Sequence, residues 1–223
     1  METIPLQELL RRHWEVSDPA ACPDGLAVMD AVRRREQSLH RLLPAPLVRR
    51  LDAGFARSYT VHPDTGRALY AICRAVRPDD VFETGTYWGY STAYLAAALR
   101  DENASGKVWT FDIYARAGRH IPKSLLPRIE LHRGRPSVEM MPAVLRRVTP
   151  ALFFQDSCHD YEGVAEELRV VAPRLAPGGA VLFHDWVEPQ VRQAAADVLT
   201  GYTLYTLEGQ DPQQFGVAVK PPA

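Results

Sequence analysis

The stretch Val81-Phe-Glu-Thr-Gly-Thr-Tyr-Trp-Gly-Tyr-Ser-Thr92 decides the reading of the chain. It opens on strand-forming residues, passes through two glycines and runs into the alanine-rich segment STAYLAAALR. Gly85 and Gly89 let the backbone turn sharply and approach a ligand, as residues without a Cβ can. A dinucleotide site asks for G-x-G-x-x-G with helix amides facing a pyrophosphate. Here the spacing is G-x-x-x-G, and Glu83 stands at the mouth of the turn, where it would repel a phosphate. The turn therefore predicts a cationic ligand without a pyrophosphate.

The segments around it alternate. Apolar strand-like runs VFETG, KVWTFD, IELHRG, ALFFQDS and AVLFHDW are interleaved with helical patterns such as HPDTGRALYAICRAV, SVEMMPAVLRRV and EGVAEELRVVAPRL. Short apolar strands separated by helices predict a doubly wound, mostly parallel α/β sheet of Rossmann-like type. The last two strands, YTLYTLEG and FGVAVK, flank a GQDPQQ turn and predict a C-terminal antiparallel hairpin, for seven strands in all. Residues 1–60 read as an N-terminal helical extension or lid, with a first helix over ETIPLQELLRRHWEV, and residues 61–223 as the Rossmann-like domain. Arg33, Arg34 and Arg35 read as the solvated face of an amphipathic helix, and Cys73 as a core residue at helical spacing.

Bulk properties exclude several classes. The chain has 223 residues, 46% hydrophobic and 24% charged, with a formal net charge of −1. That balance gives no global attraction for nucleic acid or an anionic membrane. No run approaches the ~20 apolar residues of a membrane span, and no signal peptide is visible. Three widely spaced cysteines, Cys22, Cys73 and Cys158, form neither a disulfide framework nor a metal knuckle, so a cytoplasmic location is expected.

In a doubly wound sheet the ligand sits beyond the carboxyl ends of the strands. Those ends carry Glu83 and Gly85, Asp112, Gly134, Asp156, and the pair His184-Asp185. Asp112 follows Gly89 by about twenty residues, where a carboxylate accepts hydrogen bonds from ribose hydroxyls. S-adenosylmethionine, with an ammonium and a sulfonium beside an adenosyl group, satisfies both the cationic turn and the ribose carboxylate.

Taken in order, E-T-G-T-x-x-G-Y-S-T, F-D, F-x-D-S-x-H-x-Y-E-G, L-x-P-G-G and F-H-D resemble a class I methyltransferase. The group most similar to them is methyltransferase family 24, small bacterial enzymes that include sugar and catechol-type O-methyltransferases. The resemblance covers roughly residues 60–187 and implies S-adenosylmethionine as cofactor. It implies that Glu83, Gly85 and Thr86 line its methionine part, with Tyr90 and Ser91 at the helix start nearby. It also implies that Asp112 holds the ribose, and that Arg135 and Ser137 lie where such enzymes close over the adenine.

At the reacting end, Asp156, His159, His184 and Asp185 are expected together, because FFQDSCHDYEG and FHDW should end adjacent strands. Two designs are open. In one, Asp156 and Asp185 hold Mg²⁺ or another divalent metal that lowers the pKa of an acceptor hydroxyl. In the other, His159 or His184 is the general base and Asp156 or Asp185 orients it. The plain structural alternatives are that His159 caps the next helix and His184 fills a strand end. Trp14, Tyr59, His62, Tyr87, Trp88 and Trp186 are aromatic candidates for a substrate wall.

The expected function is methyl transfer to an oxygen of a small natural product or sugar, with no nucleic-acid or membrane partner. The amphipathic N-terminal helices could serve a homodimer. Two other classes fit the same residues: a binding or regulatory protein that retains the fold, and an enzyme that uses the fold for a different reaction.

Overall fold

A computed structural model describes residues 1–16, 61–209 and 214–223. The amphipathic helix expected over GLAVMDAVRRREQSLHRLL (residues 25–43), the lid role, Tyr59 and the tip of the closing turn lie outside the described residues. Among the described residues eight strands form a single sheet. They are β1 (Glu2–Ile4), β2 (Val81–Thr84), β3 (Val108–Asp112), β4 (Ile129–Arg133), β5 (Leu152–Gln155), β6 (Ala180–Phe183), β7 (Thr203–Leu207) and β8 (Phe215–Val219). The helices are α1 (Leu6–Trp14), α2 (Pro63–Val76), α3 (Tyr90–Asp101), α4 (Ser137–Leu145), α5 (Tyr161–Val171) and α6 (Pro189–Val198).

The sheet order is β1-β7-β8-β6-β5-β2-β3-β4, and β8 alone runs against the others. From β2 the chain goes outward through β3 and β4, then returns to β5 on the other side of β2. That reversal is the switch point where a doubly wound sheet opens a crevice. The fold class, the parallel majority and the closing hairpin are as the periodicity predicts.

The eighth strand is the difference. Glu2, Thr3 and Ile4 pair in parallel with Tyr205, Thr206 and Leu207, so these residues belong to the sheet and not to a helix. Pro5 disfavours helical backbone at the residue before it, and α1 begins only at Leu6. Three residues are too few for periodicity to register.

Central strands are buried on both faces, which is why they read as unbroken apolar runs. Val81, Leu152, Phe154 and Leu182 face the layer of α1, α2 and α3, while Phe82, Phe153, Val181 and Phe183 face α4, α5 and α6. Residues 90–99 of α3 are buried throughout, and the helix starts directly at the glycine turn. Cys73 is 1% exposed and packs in the first layer. Burial drives its thiol pKa far upward, as a core role requires.

Candidate active site

At the switch point, Gly85 has φ of +88° and donates its N–H to the Phe111 carbonyl at 2.9 Å. A Cβ there would overlap the carbonyl of Asp156, at the end of neighbouring β5. Gly89 has φ of +92° and is the N-cap of α3; a Cβ would run into Ile121. Both glycines of the opening stretch are therefore required by conformation and by space.

Asp112 closes the turn from β3. Its Oδ2 accepts the Tyr87 N–H at 2.6 Å and its Oδ1 the Tyr114 N–H at 2.7 Å. Each carboxylate oxygen retains a further lone pair. Behind the turn, Trp88 stacks on His120 at 4.5 Å with the Arg119 guanidinium 4.4 Å from its ring centre.

A cavity of about 780 Å³ opens over the ends of β2, β3, β5 and β6. Gly85, Asp112, Ser137, Asp156, His159, His184 and Asp185 all line it. Glu83, Thr86, Gly89, Tyr90 and Ser91 stand behind the turn, and Arg135 is an exposed loop residue off the cavity wall. The hydroxyl of Ser137 is donated to Glu167, at 2.5 Å.

Parallel pairing of β5 with β6 puts Gln155 opposite Phe183, so the residues that follow, Asp156 and His184, are neighbours. His184 Nδ1 lies 3.0 Å from Asp156 Oδ1 and 2.9 Å from Asp185 Oδ2. A nitrogen facing two carboxylate oxygens carries the proton. His159 Nε2 reaches the same Asp185 Oδ2 at 2.9 Å. Asp185 thus stands between two imidazoles, in left-handed backbone (φ +50°) that is uncommon for a non-glycine residue and frequent at functional turns.

Residues 82–186 match the family model of a methyltransferase domain. The chain carries a methyltransferase domain. No curated protein matches it by sequence. Among solved structures it is similar to the O-methyltransferase TomG of Streptomyces achromogenes, involved in tomaymycin synthesis and solved with S-adenosylmethionine. The TM-score is 0.61 at 19% identity, over 76% of this chain and 86% of that one. A Klebsiella pneumoniae protein provisionally assigned as an O-methyltransferase gives 0.64 at 19% identity over 97% and 96%. The O-methyltransferase of Bacillus cereus, solved with S-adenosylhomocysteine, gives 0.55 at 16% identity over 96% and 98%. At these identities the likeness carries the fold.

Within the candidate site the four acid–base groups are not equivalent. The His159 side chain is 46% exposed and the His184 side chain 7%, so His159 is the imidazole at the mouth. Its helix-capping alternative is filled by another residue: Asp160 is the N-cap of α5 and accepts the Gly163 N–H at 2.9 Å. The hydrogen bond to Asp185 holds His159 above the ordinary imidazole range, against the effect of burial. Burial would raise Asp185, but hydrogen bonds from His159 and His184 outweigh it and hold the carboxyl below its usual range. Burial pushes Asp156 upward, with His184 opposing.

Most of the expected aromatic wall lies elsewhere. Trp186 is fully buried against Gly216 and donates Nε1–H to Thr206 at 3.0 Å. Trp14 donates to the Gly178 carbonyl, and His62 caps α2 through the Asp64 N–H. Tyr87 alone of the described candidates lines the cavity.

Glu83 is fully buried, and Thr92 donates to its Oε2 at 2.5 Å. Burial pushes it up to about 7, opposed by the hydroxyls of Ser91, Thr110 and Thr92. A carboxyl protonated in the fold and ionised in the open chain loses stability as pH rises between about 4.5 and 7. The expected loss is at most about 3 kcal/mol. Glu83→Gln should thus match the wild type near pH 5 and exceed it at pH 8, by roughly 5–10 °C in Tm. Parallel Tm–pH curves for the two proteins in thermal scans would contradict this.

Glu167 is the functional candidate that sequence reasoning missed. It lines the cavity, is 1% exposed, and sits on α5 among Val164, Leu168 and Val171. Its signal was present: a carboxylate on the apolar stripe of a helix is rarely buried without partners.

Proposed function

We propose that this protein transfers the methyl group of S-adenosylmethionine to a hydroxyl oxygen of a small natural product or sugar, with His159 as general base and Asp185 as its orienting carboxylate. One observation carries the cofactor reading. The described residues lining the cavity include six carboxylates, Asp112, Asp156, Glu166, Glu167, Asp185 and Glu188, and neither lysine nor arginine. Such a wall attracts an ammonium–sulfonium ligand and repels a pyrophosphate. The glycine turn and the free lone pairs of Asp112 fit its adenosyl part. TomG and the Bacillus cereus enzyme, solved with this cofactor and with its demethylated product, lend the same reading.

When bound, the sulfonium supplies an electrophilic methyl group. The chain's own residues then have two tasks. Asp112 and the Gly85 turn fix the donor end, so the acceptor oxygen is met in line. His159, held through Nε2 by Asp185, takes the acceptor proton as the new bond forms. His184, donating from Nδ1 between Asp156 and Asp185, holds the two carboxylates in place.

A second reading rests on Asp156, His184 and Asp185, whose ligand atoms lie within 4.8 Å of one another. Two carboxylates and an imidazole suit manganese, iron or zinc better than magnesium. A metal held there would lower the pKa of the acceptor hydroxyl.

We place the enzyme in the cytosol, consistent with free Cys73 and Cys158 among the described residues, and propose self-association through the N-terminal helices as a homodimer. Among the described residues no helix is long and apolar enough to cross a membrane.

The deciding experiment combines S-adenosylhomocysteine binding by calorimetry with an acceptor screen scored by its release. Micromolar binding and methylated product are expected, with turnover unchanged by EDTA. Turnover lost to the chelator and restored by a divalent ion would favour the metal reading. Binding with no product from any acceptor would favour a regulatory protein of the same fold, and a consumed cofactor without methylated product a different reaction.

A further inference from the structure

Beyond its share of the acidic cavity wall, Glu167 has no step in the chemistry above, yet four side chains donate to it. Its Oε1 accepts from Ser137 Oγ at 2.5 Å and Ser157 Oγ at 2.7 Å. Its Oε2 accepts from Thr84 Oγ1 at 2.9 Å and Gln155 Nε2 at 3.4 Å. Gln155 also donates to the Cys158 carbonyl at 2.8 Å.

The donors come from separate pieces of the site. Thr84 is the last residue of β2, directly before Gly85. Ser137 is the first residue of α4, against the adenosyl end of the cavity. Ser157 lies in the loop after β5 that carries His159. A leucine would pack at position 167 without the desolvation cost of a buried carboxylate. A carboxylate, unlike leucine, can accept from all three pieces together, and both oxygens of Glu167 are paired, although Gln155 Oε1 has no partner among the described residues; hydrogen bonds shared by one buried group rigidify what they join.

We propose that Glu167 is a positioning residue that locks the cofactor half of the site to the loop bearing the base. The glycine turn, the start of α4 and the 157–160 loop hold their relative places through this one side chain. This inference rests on the cofactor reading given above.

The test is S-adenosylhomocysteine affinity, measured by calorimetry on the full chain with Tm recorded alongside. Glu167→Gln keeps the volume and one acceptor oxygen, and should raise Kd about tenfold with Tm changed by only a few degrees. Ser137→Ala and Ser157→Ala should each raise Kd about threefold in the wild-type background, and add less than that in the Glu167→Gln background. That loss of additivity is the signature of a shared carboxylate; general destabilisation would leave the effects multiplying. Fully multiplicative effects, or an unchanged Kd in Glu167→Gln, would overturn the inference while leaving the cofactor reading intact. A wild-type chain that does not bind S-adenosylhomocysteine would overturn both.

Discussion

His159→Ala is expected to lower kcat by about 10²- to 10⁴-fold, the range that a positioned general base supplies. S-adenosylhomocysteine affinity should stay within about threefold, because the variant leaves the glycine turn and Asp112 untouched. His159 is chosen over His184 on geometry: it is the exposed imidazole, it is relieved of capping by Asp160, and its Nε2 is anchored on Asp185. The base works only when neutral, and Asp185 raises its pKa. Activity should therefore rise with pH through a limb lying above the ordinary imidazole value of about 6.5. Asp185→Asn removes the charge that stabilises the imidazolium, so it should move that limb to lower pH while reducing kcat. Because His159, Asp185, His184 and Asp156 are in contact, the limb belongs to the cluster. Full activity in His159→Ala together with a dead His184→Ala would transfer the base to the buried histidine.

Asp112→Ala is the second large effect, a rise of about two to three orders of magnitude in Kd for S-adenosylmethionine. The carboxylate holds two backbone amides, of Tyr87 and Tyr114, and is proposed to hold the ribose hydroxyls on its remaining lone pairs. Hydrogen bonds to a charged group contribute roughly 1.5–3 kcal/mol each. Its removal takes away the ribose contacts and loosens the turn that forms the floor beneath them. Asp112→Asn should fall between, since an amide keeps one acceptor oxygen but presents an N–H donor to one of the two backbone amides. Calorimetry on both variants, with Tm as a control, checks the order; equal affinity for wild type and Asp112→Ala would remove this residue from the binding site.

Much of the fold was legible because it rests on period and punctuation. The central strands are buried on both faces and appear as apolar runs, and each parallel crossover needs a helix long enough to show its own period. The neighbourhood of Asp156, His159, His184 and Asp185 was legible for the same reason: adjacent parallel strands in register deliver their next residues to one place. What stayed hidden depends on pairings between distant residues. Nothing local reveals that Asp112 would spend two lone pairs on the amides of Tyr87 and Tyr114, or that Glu83 would sit behind the turn bonded to Thr92. Trp186 reads as a site aromatic because it follows His184-Asp185, but the β8 backbone at Gly216 leaves room for its ring in the core. Glu167 could have been suspected from the helix pattern, although its three hydroxyl partners could not.

The strand formed by Glu2, Thr3 and Ile4 bears on how the protein can be shortened. These residues look like the start of a dispensable extension, yet they complete the sheet, and Ile4 is 1% exposed. The helix that follows reinforces the attachment, with His13 2.9 Å from the Tyr205 hydroxyl. A version trimmed to begin at residue 61 would strip the outer border from β7, leaving a row of unsatisfied amides and carbonyls beside the uncovered faces of Tyr205 and Leu207. Open borders of that kind recruit strands from other molecules. Trimming Glu2, Thr3 and Ile4 is therefore expected to promote aggregation through the exposed border of β7.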